Sequence, residues 1–288
     1  MLSLTVLLTG CSEWNALMKK MPWQKNEQDS TSSRENTKSQ SPSENENINP
    51  SENTNDHSGN EMEEGSQEKK NNETPTLEAS HFNQIKMVDG KSVIQNPTNI
   101  VALINKQFAL PGSYAPTDLK RPKVKFPFGD EKIEKSYLRK EAAESLEEMF
   151  AAAKSENIEL FAVSGYRSYK RQKEVFTAEV NRVGEAKAVQ AVAVPGFSEH
   201  QSGLAMDISS QSNNYDLTED FGKTKEGKWL VKNASKFGFI LRYPKGKEQI
   251  TGYQYEPWHF RYVGVESATE IYKRSLTLEE YFDIVEKI

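Results

Sequence analysis

From about Gln24 to about Ser80 the chain runs through Ser, Asn, Glu, Gln and Lys, and large apolar side chains almost vanish. Such a segment buries too little apolar surface to offset the entropy lost on ordering it. Any core must therefore be built from the residues C-terminal to it. The low hydrophobic share of the 288 residues, 35%, agrees with a chain that is folded only in part. The sequence divides into an N-terminal segment (1–23), a disordered polar tether (24–80) and one folded domain (81–288) whose core begins near residue 100. At ~55 residues the tether has a root-mean-square span of ~40 Å. A net charge of −5 gives no reason to expect a nucleic-acid partner. The single cysteine, Cys11, excludes an intrachain disulfide, and no apolar run reaches the ~18 residues of a membrane-spanning helix.

Within the domain, Ile85–Val88 and Ser92–Ile94 around Asp89-Gly90 predict a hairpin. Residues 100–105 suit a short strand or helix, and the prolines at 111 and 116 favour an extended path that wraps the domain. Leu138, Ala142, Leu146, Met149, Phe150 and Ala153 recur at helical spacing, which predicts a helix from Tyr137 to about Asn157. A strand over 158–163 then delivers Gly165-Tyr166-Arg167 to a strand–helix junction, with Ser168 as N-cap of a helix to about Arg182. A second helix spans 184–194. Residues 204–208 predict a strand with Asp207 and Ala205 on one face. A helix over 225–237 ends at Gly238. Strands are expected at 239–243 and 258–263; in the latter His259 and Arg261 point one way, Trp258 and Phe260 the other. One or two helices close the chain. Strands and helices without βαβ regularity predict an α+β domain with helices packed on a central antiparallel sheet.

Two stretches carry chemistry. Ser198-Glu199-His200-Gln201-Ser202-Gly203-Leu204-Ala205-Met206-Asp207 sets a histidine and an aspartate seven residues apart, and Glu256-Pro257-Trp258-His259 adds a histidine and another carboxylate. His200, Asp207 and His259 form an N,N,O set that suits Zn²⁺ and leaves a fourth position for water. Glu256 is then the base that deprotonates that water. An aspartate inside an apolar strand is costly to bury unpaired, so a metal accounts for Asp207 better than a turn does. Of the other two histidines, His57 falls in the tether and His81 at its end, and neither is expected to be a ligand. Arg167, between Tyr166 and Tyr169, suits a guanidinium gripping a carboxylate with two parallel hydrogen bonds. An ordinary surface ion pair is the alternative. Trp258 suits core and pocket wall equally, and Tyr243 is a weaker pocket candidate.

These stretches resemble the zinc D-alanyl-D-alanine carboxypeptidases of the VanY type, including the LdcB-like L,D-carboxypeptidases. The pattern S-x-H-x-x-G-x-A-x-D followed by E-x-W-H stands here as SEHQSGLAMD and EPWH. Ser164-Gly165-Tyr166-Arg167-Ser168-Tyr169, with Gln172, is similar to that family's substrate-binding segment. The resemblance runs from about Ile100 onward. It implies a zinc enzyme that removes the C-terminal D-alanine from peptidoglycan stem peptides. Arg167, Gln172, Ser198, Tyr169, Tyr243 and Trp258 are then substrate contacts, with Ser198 a candidate oxyanion donor. Neither D,D- nor L,D-specificity can be read from the residues. A wall endopeptidase and a non-catalytic zinc-binding recognition module are the alternatives. Arg167 speaks against the first and Glu256 against the second. A monomer is expected.

At the N-terminus, the apolar run Leu2–Gly10 ends in Leu8-Thr9-Gly10-Cys11, which resembles the lipobox of a bacterial lipoprotein signal, although no Lys or Arg precedes it. Lipidation at Cys11 would hold the domain on the extracytoplasmic face of the cell membrane, with the tether reaching toward the wall. A buried cysteine in an apolar segment is the plain alternative.

Overall fold

Alternating side chains in Leu204–Ile208 and Trp258–Val263 send one set of residues to a core and the other to the opposite face of a sheet. In a computed structural model, which describes residues 74–288, these segments lie side by side. Cys11, the 1–23 segment and the tether up to residue 73 lie outside the described residues.

The strands are β1 (Thr76–Leu77), β2 (Ile85–Val88), β3 (Lys91–Ile94), β4 (Phe108–Ala109), β5 (Leu119–Lys120), β6 (Leu138–Arg139), β7 (Phe161–Ser164), β8 (Ala205–Ser209), β9 (Phe239–Leu241), β10 (His259–Tyr262) and β11 (Glu286–Lys287). The helices are α1 (Lys140–Ser155), α2 (Tyr169–Val183), α3 (Glu185–Ala191), α4 (Lys225–Asn233), α5 (Glu248–Thr251), α6 (Val265–Arg274) and α7 (Leu278–Ile284). Among the described residues no helix is long and apolar enough to cross a membrane.

The central sheet has the order β7-β8-β10-β9, with every neighbouring pair antiparallel. Met206, Ile208, Phe260 and Tyr262 enter the principal core, where they meet Leu146 and Met149 of α1 and Leu230 of α4. Ala142, Leu146, Met149 and Ala153 are fully buried, so the helical spacing read from the sequence is the packed stripe of α1. Burying one such Leu or Met contributes roughly 1.5–3 kcal/mol over leaving it exposed. The α+β architecture with helices on an antiparallel sheet is the one observed.

Element ends differ from the sequence reading for local reasons. α1 starts at Lys140, three residues late, because the backbone before it serves its neighbours. Tyr166 N–H donates to the Tyr137 carbonyl (2.8 Å), and Arg139 N–H donates to that of Gly203 (2.8 Å). The strand expected at 158–163 is confined to Phe161–Ser164. The helix expected over 225–237 is α-helical to Asn233 and continues as a 3₁₀ turn, Ala234–Phe237, closed by Gly238 at φ +78°. Residues 100–105 form neither strand nor helix. Their carbonyls at Ile100 and Ala102 accept hydrogen bonds from Arg261 (3.0 and 2.9 Å), which substitutes for regular pairing.

The hairpin β2–β3 turns through Asp89 and Gly90, both at positive φ, as expected. Within residues 74–80, expected as tether, β1 pairs in parallel with β11 near the C-terminus. That pairing had no sequence signal at two residues per strand.

Candidate metal centre

The register between β8 and β10 builds the site. Asp207 stands directly opposite His259, and a bulge in β7 sets Ser164 opposite Asp207 as well. His200 arrives from a 3₁₀ turn, Glu199–Ser202, that opens at Ser198 and ends at Gly203 at φ +70°. All three candidate ligands are buried. One ligand atom from each of His200, Asp207 and His259 lies within 4.8 Å of the others.

The ring nitrogens divide by task. His200 Nδ1 is 2.7 Å from the Gly165 carbonyl, which must accept from it, so Nε2 is left to face Asp207 Oδ2 at 3.4 Å. His259 Nε2 is 3.2 Å from Glu199 Oε2, and Nδ1 is 3.0 Å from Asp207 Oδ1. Each ring is thus oriented by an outer acceptor, as metal-ligating histidines are. Close approach is built into the backbone here. A Cβ at Gly165 would stand 2.5 Å from the Tyr137 carbonyl, so a glycine is needed where Gly165 hands its own carbonyl to His200.

The electrostatics suit a cation. Burial pushes the Asp207 carboxyl up, but the two imidazoles outweigh it and hold it below the ordinary carboxylate range. Burial opposes charge on His259, yet its hydrogen bonds to Asp207 and Glu199 prevail and raise it to about 10. His200 is lowered, chiefly by burial. The pocket between Asp207 and His259 therefore favours positive charge, and two imidazoles plus one carboxylate are a zinc donor set.

Glu256 stands outside the ligand set, with Oε2 3.9 Å from His259 Nδ1. Burial first, and then the charges of Asp207 and Glu199, push its carboxyl up to about 7 against the pull of His259 and Arg167. That is the range in which a carboxylate can accept and return a proton.

The remaining candidates surround this centre. Arg167 Nη1 donates to Gln172 Oε1 (3.0 Å) and Nη2 to Ser164 Oγ (3.3 Å). A guanidinium has five donors, so the two brace it and leave others for an incoming anion. Gln172, expected to touch substrate, is fully buried and spends its amide differently. It holds Arg167 with its oxygen and the Ala193 carbonyl with its nitrogen (2.6 Å), so it positions the guanidinium. Ser198 is buried at the mouth of the turn that carries His200. Tyr243 stacks against His259 with centroids 5.0 Å apart and backs the ligand. Trp258 packs partly buried against the principal core, the core reading of its two alternatives. Tyr169 packs over Gly112 and lines a cavity of about 360 Å³ with Lys86, Lys91 and Pro195. His81 bonds Asn99 (3.1 Å) and takes no part.

Sequence reasoning missed Glu199. Its Oε1 accepts from Arg242 Nε (2.8 Å) and Arg261 Nη1 (2.7 Å), while Oε2 meets His259. The signal was available: arginines inside the apolar strands at 239–243 and 258–263 demand a buried anion, and Glu199 adjoins a ligand.

A buried His-Asp-His cluster that could hold a metal ion, beside a carboxylate raised to about 7, suits a zinc peptidase. The chain matches the family described as VanY, D-alanyl-D-alanine carboxypeptidase, over residues 135–265. YodJ of Bacillus subtilis is 62% identical over 213 residues, covering 74% of this chain and 78% of that protein. The solved structure of the LdcB LD-carboxypeptidase is similar at a TM-score of 0.72 and 62% identity, over 74% of this chain and 99% of that one. A variant of the vancomycin-resistance D,D-pentapeptidase VanY, solved with Zn(II), is similar at 0.52 and 34% identity, over 64% and 98%. The chain belongs to the VanY family and is a zinc-dependent carboxypeptidase.

A division of roles between His200 and His259 as ligands and Glu256 as base is directly testable. His200→Ala and His259→Ala should each lose bound zinc, whereas Glu256→Gln should keep a full equivalent. Zinc-to-protein ratios after dialysis measure this, and loss of zinc from Glu256→Gln would put that residue in the ligand set.

Proposed function

We propose that this chain is an L,D-carboxypeptidase that trims the terminal D-alanine from the tetrapeptide stems of peptidoglycan, held at the outer face of the membrane by a lipid on Cys11. The observation that carries the specificity is the 62% identity to the LdcB LD-carboxypeptidase across 99% of that chain, against 34% to the D,D-pentapeptidase. The lipid anchor rests on the apolar run that ends at Cys11 and on the polar stretch behind it.

His200, Asp207 and His259 would hold the zinc, which when bound supplies a Lewis acid that acidifies water and polarises a carbonyl. The chain's own groups do the rest. Arg167, braced by Gln172 and Ser164, receives the terminal carboxylate and so sets the last peptide bond at the metal face. Glu256 takes a proton from the attacking water and passes it to the nitrogen of the departing D-alanine. Ser198, buried beside the turn that carries His200, is the candidate donor to the oxyanion. Tyr243 keeps the His259 ring from swinging out.

Purified tetrapeptide and pentapeptide stems, digested separately and weighed, test the specificity. The tetrapeptide should lose one D-alanine. Conversion of pentapeptide with tetrapeptide left intact would make the enzyme D,D-specific. Amidation of the terminal carboxylate should abolish cleavage. Arg167→Lys keeps the charge but loses the planar fork, and should cost about 2–4 kcal/mol of transition-state binding, roughly 30- to 1000-fold in kcat/KM, with zinc content unchanged. Equal cleavage of the amide would favour an endopeptidase.

The anchor is tested separately. Cys11→Ser should move the protein from the membrane fraction to the soluble one, and identical partitioning of parent and variant would remove the lipid from the account.

A further inference from the structure

The buried charges behind the metal centre do not stop at Glu199. Arg242, fully buried, turns its Nε to Glu199 Oε1 and its other edge to Glu279 in the first turn of α7. That second contact is bidentate, Nη1 to Oε2 at 2.8 Å and Nη2 to Oε1 at 2.6 Å. Asn105, in the segment that wraps the domain, donates to the same Glu279 Oε1 at 3.2 Å. An unbroken line of paired groups thus runs from His259 through Glu199 and Arg242 to the closing helix. Both Asn105 and Glu279 lie outside residues 135–265, the part that matches the family.

Charge balance shows what Glu279 does. Glu199 shares one oxygen between two guanidiniums, those of Arg242 and Arg261. With Glu279, which is part-buried, two anions face the two buried guanidiniums; without it, one anion serves both. Arg242 would then keep only the Glu199 oxygen it shares with Arg261, an under-compensated buried charge, and would draw Glu199 toward itself. The contact that suffers is the one Glu199 makes with its other oxygen, to His259 Nε2. An outer carboxylate of this kind fixes the ring of a ligating histidine and raises its basicity.

We propose that Glu279, acting through Arg242, is a positioning residue for the metal centre, so that the docked closing helix α7 holds His259 in its ligating orientation. This rests on the zinc site of His200, Asp207 and His259. The adjacent Glu280 supplies the comparison. It closes the capping box with Thr277 and pairs with Lys247 (2.7 Å), so it secures the same helix without touching the line to His259.

The test uses the full-length chain, stripped of metal and titrated with zinc in competition with a chromophoric chelator. Thermal unfolding is measured in parallel. Glu279→Gln should weaken zinc binding on the order of 10-fold, while Glu280→Ala, though it loosens α7, should stay within about twofold of the parent. Equal zinc affinity of Glu279→Gln and the parent would overturn the proposal. So would a Glu280→Ala variant that loses as much affinity as Glu279→Gln, since helix stability alone would then account for the effect. Should Glu279→Gln not fold, Glu279→Asp decides in its place. It keeps the charge but falls a methylene short of the bidentate pair, so weaker zinc binding is expected and unchanged binding contradicts the proposal. A parent chain that binds no zinc would remove the metal-centre reading itself, whereas a failure of the peptide specificity would leave this test standing.

Discussion

The carboxylate of Glu199 is where the fold and the chemistry meet. It is fully buried, which pushes its carboxyl up. The Arg242 and Arg261 guanidiniums more than offset this and hold it well below the usual carboxylate range, with His259 on the other oxygen. A buried cluster of this kind adds little net stability over apolar packing of the same volume, whereas removing one member costs about 3–5 kcal/mol. Its value lies in geometry. Arg261 also ties the carbonyls of Ile100 and Ala102 to the sheet, so the wrapping segment, the turn at 199–202 and the strands β9 and β10 are registered on one anion.

From that anchor the site is reached with few further choices. Antiparallel register sets Asp207 opposite His259, and the turn that presents Glu199 presents His200 one residue later. The other face of the same strands is core, with Met206, Ile208 and Phe260 fully buried. A one-residue slip of β8 against β10 would turn Asp207 into that core and Met206 and Ile208 toward His259. The hydrophobic pattern therefore protects the metal geometry, and stability and function depend on the same register.

Much of this was legible in the sequence. The alternation in 204–208 and 258–263 gave both strands and their faces, and the helical spacing of Ala142, Leu146, Met149 and Ala153 gave α1 and its buried stripe. His200, Asp207 and His259, expected from the sequence as one ligand set, are brought within 4.8 Å of one another. What could not be read was contact at long range. Gln172, expected from the sequence as a substrate contact, is instead closed on by the Ala193 carbonyl and Arg167. Residues 100–105 suit a short strand or helix because nothing local reveals that the Ile100 and Ala102 carbonyls belong to Arg261. Glu199 escaped because a single acid beside a ligand carries no periodicity. Its partners lie 43 and 62 residues away in the chain.

In the proposed zinc site, Glu199 fixes which nitrogen His259 offers to the metal. Nitrogen-15 chemical shifts of the histidine rings in zinc-loaded protein test it most directly. His259 is expected to carry its proton on Nε2, facing Glu199, with Nδ1 bound to zinc. Glu199→Gln is expected to disturb the His259 signals far more than those of His200. A His259 protonated at Nδ1, or a spectrum indifferent to Glu199→Gln, would contradict the claim.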